Sequence, residues 1–597
     1  MTTSDNLIIG NCSGFYGDKF SAAREMVQGG PIHVLTGDYL AELTMAILFR
    51  KRLRDSKGGF VPTFLRQMEE IMGECLDRGI KVVSNAGGLN PRGAAEALQV
   101  LAQQLGLSPR IAYIEGDDLM GHLDELQNQG ETFAHLDKGI PLDRIRTPPI
   151  TANVYLGCWG IVEALAHGAD IVIGGRLADA SLTVGPAAWH FGWNKDDWDR
   201  LAGATVAGHI IECSTQATGG NYPFLDEIPS FKNMGFPIAE VFEDGSCVIT
   251  KHPGTGGLVS IGTVTAQLLW EIREPHYLTP DVISFFNTVS LTQEGADRVR
   301  ITGAKGAPPT KTAKVSLNVH GGYRNSMTIF LTGLDIEKKA QIFEETLIDS
   351  LGGRDRFSRI DTQLIRVDKP NPDSNEEAWA YFRISVIDPD SEKAGRFFSS
   401  KVVEQALATI PGFTSTAPPG TGDPVIIHWP ALVSVKHVSQ SVHIAEQVIK
   451  ISPVDPSGIQ SWPSIEKFPI AAVPSGKNHS LPLGRVFGAR SGDKGGNANL
   501  AVWSRTAEAY AFLTQFLTVD CLKALLPDLF SYEIERYELP NVRALNFYIV
   551  GLLGDGAASS FRSDPQAKTL GEYLRAKIIE IPERIIPSGG SECYRLL

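Results

Sequence analysis

Through its first 195 residues the chain alternates short apolar runs with amphipathic stretches, and each apolar run ends in a polar, mostly glycine-bearing cluster. The runs at 7–9, 32–35, 81–84, 110–114 and 170–173 predict strands, and the stretches at 19–27, 40–50, 64–78, 93–105 and 161–167 predict helices. Such β–α alternation with nearly continuous apolar strands predicts a mostly parallel, Rossmann-like α/β sheet covered on both faces. The polar clusters then fall at the carboxyl ends of the strands, where open α/β sheets bind ligands. None has the G-x-G-x-x-G spacing of a dinucleotide loop, and no Walker A sequence occurs.

The strand-end clusters supply the first candidate residues. They are Asn11, Ser13, Gly14 and Asp18 after the first run, Asp38 after the second, and Asn85, Gly87, Gly88 and Asn90 after the third. Glu115 follows the fourth, and Arg176 and Asp179 the fifth. Asp18, Asp38 and Asp179 are carboxylates that can move a proton at a carbon next to a carbonyl. Asp18 and Asp38 read equally well as helix caps, and Arg176 with Asp179 as an ion pair inside one loop.

From about 200 to 450 the pattern is mixed α+β. Residues 209–213 read as a strand leading into a Ser/Thr/Gly loop with Cys213, Gly219 and Gly220. A hairpin with an Asp-Gly turn spans 238–250. Lys251, His252, Gly256 and Gly257 then open onto a helical run at 258–272, an arrangement suited to an anion, with His252 a further proton carrier. Paired glycine N–H groups at 87–88 or 256–257 are candidate oxyanion donors. Between 314 and 433 the order of elements predicts a split βαβ unit. Residues 451–482 carry six prolines and predict a linker before a C-terminal α+β domain at 483–597.

That last domain opens with Ala489-Arg490-Ser491-Gly492-Asp493-Lys494-Gly495-Gly496-Asn497-Ala498-Asn499, read as a loop between strands at 484–488 and 500–503. Its backbone amides, with Arg490, Ser491, Asp493, Lys494 and Asn497, suit an anion cradle; a strained hairpin fits the same composition.

Charge and cysteine usage narrow the function classes. Net charge is −13 over 597 residues, and residues from 481 onward are balanced, so the excess lies wholly in the body. An acidic body gives no footprint for nucleic acid or anionic membrane. The 7 cysteines form no C-x-x-C pair, which predicts reduced thiols and no structural zinc. Cys12 and Cys213 are the candidate thiol nucleophiles, Cys12 at a strand-to-helix loop where a helix N-terminus lowers a thiol pKa. No His pair has metal-ligand spacing, so no metal and no cofactor is expected. No apolar run approaches the roughly 20 residues of a membrane span, and no secretory signal is visible, which predicts a cytoplasmic protein, with a homo-oligomer expected from its size.

Several stretches, 11–18, 85–91, 174–179, 218–222 and 252–257, resemble the acyclic terpene utilisation (AtuA-type) family. The 490–497 stretch resembles the signature of the ferredoxin-like domain found in its longer members. The resemblance implies a setting in the breakdown of acyclic terpenes and branched acyl-CoA compounds, beside acyl-CoA carboxylase subunits, and carries over no residue roles. The expected substrate is a small anion, a CoA thioester or a related carboxylic acid. The expected chemistry is that of a lyase or hydratase, with hydrolysis or a non-enzymatic role in carboxylase assembly as alternatives.

Overall fold

The computed structural model describes residues 6–145, 147–454, 456, 468 and 471–587. Its largest feature is an eleven-stranded sheet. Five strands at its centre run parallel, in the order Asn6–Asn11, Val34–Gly37, Lys81–Ser84, Ile171–Gly174 and Ile111–Glu115. The other six are antiparallel and extend both edges. The sheet as a whole is therefore mixed: its strands from residues 6–174 are parallel, as expected, and strands from the later part of the chain add antiparallel edges. The edge strands come from hairpins, such as Pro237–Phe242 with Cys247–Lys251 around Asp244-Gly245, where Gly245 takes φ +84°.

Residues 209–213 are not a strand. Residues 209–211 end the helix Trp198–Ile211, in which every residue from Leu201 to Ile211 is buried, and 212–213 follow as a turn. A helix buried on all sides loses the 3.6-residue polar rhythm, and its apolar end is then indistinguishable from a strand.

Contacts divide the chain into two compact units. One comprises residues 319–427 and 555–565. Its strands follow the βαββαβ order, with Arg359–Ile365, Trp379–Asp388 and Thr312–Thr332 adjacent and Asp423–Ser434 paired to the last. The strands expected at 314–319 and 326–332 are one continuous strand.

The other unit holds the large sheet together with the C-terminal domain. Much of the predicted linker, 457–467 and 469–470, lies outside the described residues. Its last residues, Asn478–Pro482, are a strand paired with Ile578–Pro582. The C-terminal sheet runs Gly488–Lys494, Asn497–Trp503, Ala544–Ile549, Ile534–Leu539, all antiparallel. The predicted loop at 489–499 is thus a tight hairpin: Arg490 pairs with Ala501, Lys494 with Asn497, and Gly495 turns at φ +63°.

The period of two sorts this hairpin's side chains onto two faces. Ala489, Leu500, Val502, Leu545, Phe547 and Ile549 pack into the domain's own core. Arg490, Gly492, Lys494, Asn497 and Asn499 share the opposite face, which would meet water if the domain stood alone. It is polar, yet Arg490, Asn497 and Asn499 are buried because it lies against the body. Among the described residues, no helix is long and apolar enough to cross a membrane.

Candidate functional site

The carboxyl ends of the parallel strands and the polar face of the C-terminal sheet meet in one buried cluster of polar and charged side chains, the chamber. After the first strand, Asn11 Nδ2 donates to Ile211 O at 2.7 Å and to Ser13 O at 3.0 Å, tying the strand to the end of the buried helix. Ser13 O in turn accepts Asp38 N at 3.0 Å. Asn85, at the third strand end, donates to Asp38 Oδ1 at 2.6 Å and accepts Tyr39 N at 2.9 Å. Asp38 is 5% exposed. Burial, then the nearby Asp179 carboxylate, pushes its carboxyl well above the usual range, with Arg176 and Asn85 pulling the other way.

Arg176 is buried, ion-paired to Asp179 at 2.5 Å, and stacks on the Tyr155 ring at 4.1 Å. The ion-pair alternative for these two residues therefore exists, but the Arg176 Nε is buried without a hydrogen-bond partner among the described residues. Its backbone N–H donates at 2.8 Å to Asp117, whose buried carboxyl is pushed up to about 6.

Glu212, which the sequence did not single out, is the centre of the chamber. It follows the buried helix directly, its side chain is 9% exposed, and its Oε1 lies 3.2 Å from His209 Nδ1. Its Oε2 is buried with no hydrogen-bond partner among the described residues. Burial and Asp179 push this carboxyl well above its ordinary range, opposed by Lys494 and Arg176. His209 is packed between Tyr277 and Phe286, with ring centroids at 4.8 and 5.1 Å. Burial, helped by Lys494, lowers its pKa to about 3, so the imidazole is neutral around pH 7.

The hairpin supplies the cations. Arg490 donates to Asn221 O at 3.1 Å and lies over the Trp270 ring at 4.3 Å. Burial lowers its pKa only to about 10, so it remains charged. Gly492 passes so close to Trp270 that a Cβ there would overlap the indole. Lys494, at the hairpin tip, is half-buried and exerts its field on both Glu212 and His209. Two buried asparagines lock the hairpin's sheet in place. Asn499 accepts Glu271 N at 3.2 Å and donates to Leu269 O at 3.0 Å, and Asn546 donates to Ile272 O at 3.0 Å and Arg273 O at 2.7 Å.

The remaining sequence candidates divide in two. Asn497 joins the chamber's rim, donating to Asp137 at 2.9 Å. Gly14 packs against the Cys213 backbone, and Asp18 closes that loop by accepting Gly14 N at 2.8 Å and Lys19 N at 2.7 Å. Ser491 accepts Gly571 N inside its own domain, at 2.8 Å, and Asp493 stands on that same face. Asn90 caps the helix Pro91–Gln104 by accepting Gly93 N at 2.9 Å. Glu115 pairs with His443 at 3.1 Å.

The glycine amides offered as oxyanion donors are already engaged: Gly87 N with Gly174 O, Gly88 N with Asn85 O, Gly256 N with Asn233 O and Gly257 N with Ser230 O. Gly219 and Gly220 likewise donate within their loop, to Gln216 O and Thr215 O. Lys251 pairs with Asp297 at 3.0 Å, and His252 meets Met26 O at 2.8 Å. These contacts hold the 251–257 segment to Asp297 and to the helix Ala22–Gly29. Burial pushes the Cys12 thiol up to about 12 and Cys213 well above its usual value, reversing the expectation of an activated thiolate.

The profile of the family described as acyclic terpene utilisation family protein AtuA matches residues 7–444, and that of the AtuA ferredoxin-like domain matches 481–580. The chain belongs to the AtuA family. No curated protein matches it. The chamber takes its parts from both matched regions: Asp38, Arg176, Asp179, His209 and Glu212 from the AtuA region, Arg490 and Lys494 from the ferredoxin-like domain.

The depressed His209 has a consequence for stability. As pH falls below its ordinary 6.5 the unfolded chain takes up a proton, while the folded chain does not until about 3. Stability is therefore present above 6.5 and lost on acidification, by about 2 kcal/mol at pH 5. Urea unfolding at pH 8 and pH 5 should show that His209→Gln removes this part of the fall, by comparison with the unsubstituted chain.

Proposed function

We propose that the chain is a metabolic enzyme that moves protons on a branched or terpenoid acyl compound, with lyase or hydratase chemistry ahead of thioester or ester hydrolysis. The observation that carries this reading is Glu212: a buried carboxyl, one oxygen unpartnered, raised above the carboxylate range and faced by a lysine from the second domain. Most buried side-chain polar atoms have a hydrogen-bond partner, and a substrate hydroxyl would supply one to this oxygen.

The roles follow from the charges. Lys494 and Arg176 receive the anionic or carbonyl end of the substrate, where the developing enolate needs positive charge. Glu212, whose carboxyl is pushed towards its protonated form by burial and by Asp179, hands its proton to a leaving β-hydroxyl, which departs as water. Asp38, whose raised pKa brings it nearer to working pH, removes the proton from the carbon next to the carbonyl. The product carries the new double bond, and the reverse sequence adds water. Neutral His209 backs Glu212 without competing for the substrate's charge.

Replacing Lys494 by Ala should lower kcat by 100-fold or more while thermal unfolding shifts by only a few degrees, since the side chain is half-buried at a hairpin tip. Following enoyl formation from branched 3-hydroxyacyl thioesters and free acids checks this. Turnover unchanged in the Lys494 variant removes the hairpin from the chemistry.

A further inference from the structure

A cavity of about 990 Å³ lies wholly within the smaller compact unit and is lined by none of the residues given a role above. It opens between the helix Ile336–Leu351 and the strand Arg359–Ile365, and its size is that of a ligand-binding cleft. Ala340 and Ile348 from the helix, Leu364 from the strand and Phe382 from the next strand supply its apolar part. The lining also carries four carboxylates, Glu337, Glu344, Glu345 and Asp349, against one cation, Arg354. Thr362 Oγ1 donates to Glu344 at 2.9 Å and Arg354 pairs with the same carboxylate, so Glu344 ties the helix to the strand. Glu337 pairs with Arg366. Glu345 and Asp349 are exposed, one helical turn apart, and neither has an ion pair among the described residues.

The strand beside this groove is an edge. Arg359–Ile365 pairs with Trp379–Asp388 on one side, and no other strand pairs with it among the described residues. In an antiparallel ladder alternate residues turn their N–H and C=O groups away from the partner. The outer side of this strand therefore presents a row of donors and acceptors, and no described backbone bond uses them. Natural edge strands are blunted by brevity, proline or a bulge. This one runs for 7 residues in unbroken register with neither a proline nor a bulge.

A free strand edge along a helix-walled groove suits the addition of an extended peptide as one more strand. Charge decides which peptide. A second copy of this strand, paired antiparallel about a twofold axis, would set the carboxylates of one helix against those of its duplicate, like charge against like. A cationic strand meets the opposite charge. We propose that this groove takes an extended, lysine- or arginine-bearing segment of a partner protein, added as a strand to Arg359–Ile365. Its apolar side chains rest on Ile348 and Leu364, and its cations meet Glu345 and Asp349. The docking is independent of the proton-transfer reading.

Calorimetry on the full chain tests this with a short, capped peptide of alternating lysine and valine. The peptide should bind, with an affinity that falls as salt rises. Glu345→Lys with Asp349→Lys should weaken it at least tenfold, while Glu446→Lys, an exposed reversal in the larger unit, leaves it unchanged. The same peptide methylated at every backbone nitrogen keeps its charge and loses its strand donors, and it too should bind at least tenfold more weakly. Hydrogen exchange at residues 359–365 should slow in the complex with the unmethylated peptide. A lysine–valine peptide that does not bind overturns the proposal, as does binding that ignores the double reversal. Equal binding of the methylated peptide, or exchange unchanged along the strand, would show a simple polycation site and overturns it as well.

Discussion

Glu212→Gln is expected to lower kcat by about 10²- to 10⁴-fold, the range that a positioned general acid contributes. The amide keeps the shape and the contact with His209 but has no acidic proton to give. Because the surroundings push the native carboxyl towards its neutral form, a neutral amide costs the fold little, and the unfolding midpoint should stay within a few degrees. A steady-state assay beside a thermal melt separates the two effects. Full activity in this variant would return Glu212 to a structural role.

The second large effect concerns how the chamber is assembled. Asn546 is fully buried, donates to the Ile272 and Arg273 carbonyls, and accepts Asn499 Nδ2 at 3.1 Å. Asn546→Leu leaves two body carbonyls and the partner asparagine without their bonds. At 1–3 kcal/mol for each unsatisfied group, the loss is about 3 kcal/mol or more. It falls on the docking of the C-terminal sheet rather than on that domain's own core, which packs on the opposite face. Urea unfolding should therefore split into two transitions, with activity lost in the first as Lys494 leaves Glu212. A single transition at an unchanged midpoint would show that other contacts hold the hairpin in place.

Much of the parallel core was legible because it obeys simple periodicities. The third strand falls where its apolar spacing puts it, as do, outside that core, the helices Ile336–Leu351 and Ala507–Phe516. Asp38, Asn85, Arg176 and Asp179 stood out as candidates because strand ends are where such sheets bind, and the structure brings them together. Glu212 was hidden by the helix before it, buried on every side and so without a polar face to mark it. It left one sign, a charged residue closing a run of apolar and small residues interrupted only by His209, and a carboxylate there needs a partner or a raised pKa.

The hairpin was misread for a different reason. Its glycines suggested a loop, whereas Gly492 is required by the Trp270 ring and only Gly495 by the turn. The alternation of Arg490, Gly492 and Lys494 with Ala489, Ser491 and Asp493 was present in the sequence. What the polar face packs against is a contact about 230 residues away, which local pattern does not encode.

Infrared titration of the resting protein tests most directly whether the two domains together hold a protonated Glu212. The difference spectrum between the unsubstituted chain and Glu212→Gln isolates its carboxyl band. That band should persist above the ordinary carboxylate range of pH, and Lys494→Ala, which removes the one opposing cation supplied by the hairpin, should move its titration higher still. A Glu212 band that titrates in the ordinary range, or that ignores the loss of Lys494, would contradict a proton-carrying chamber built from both domains.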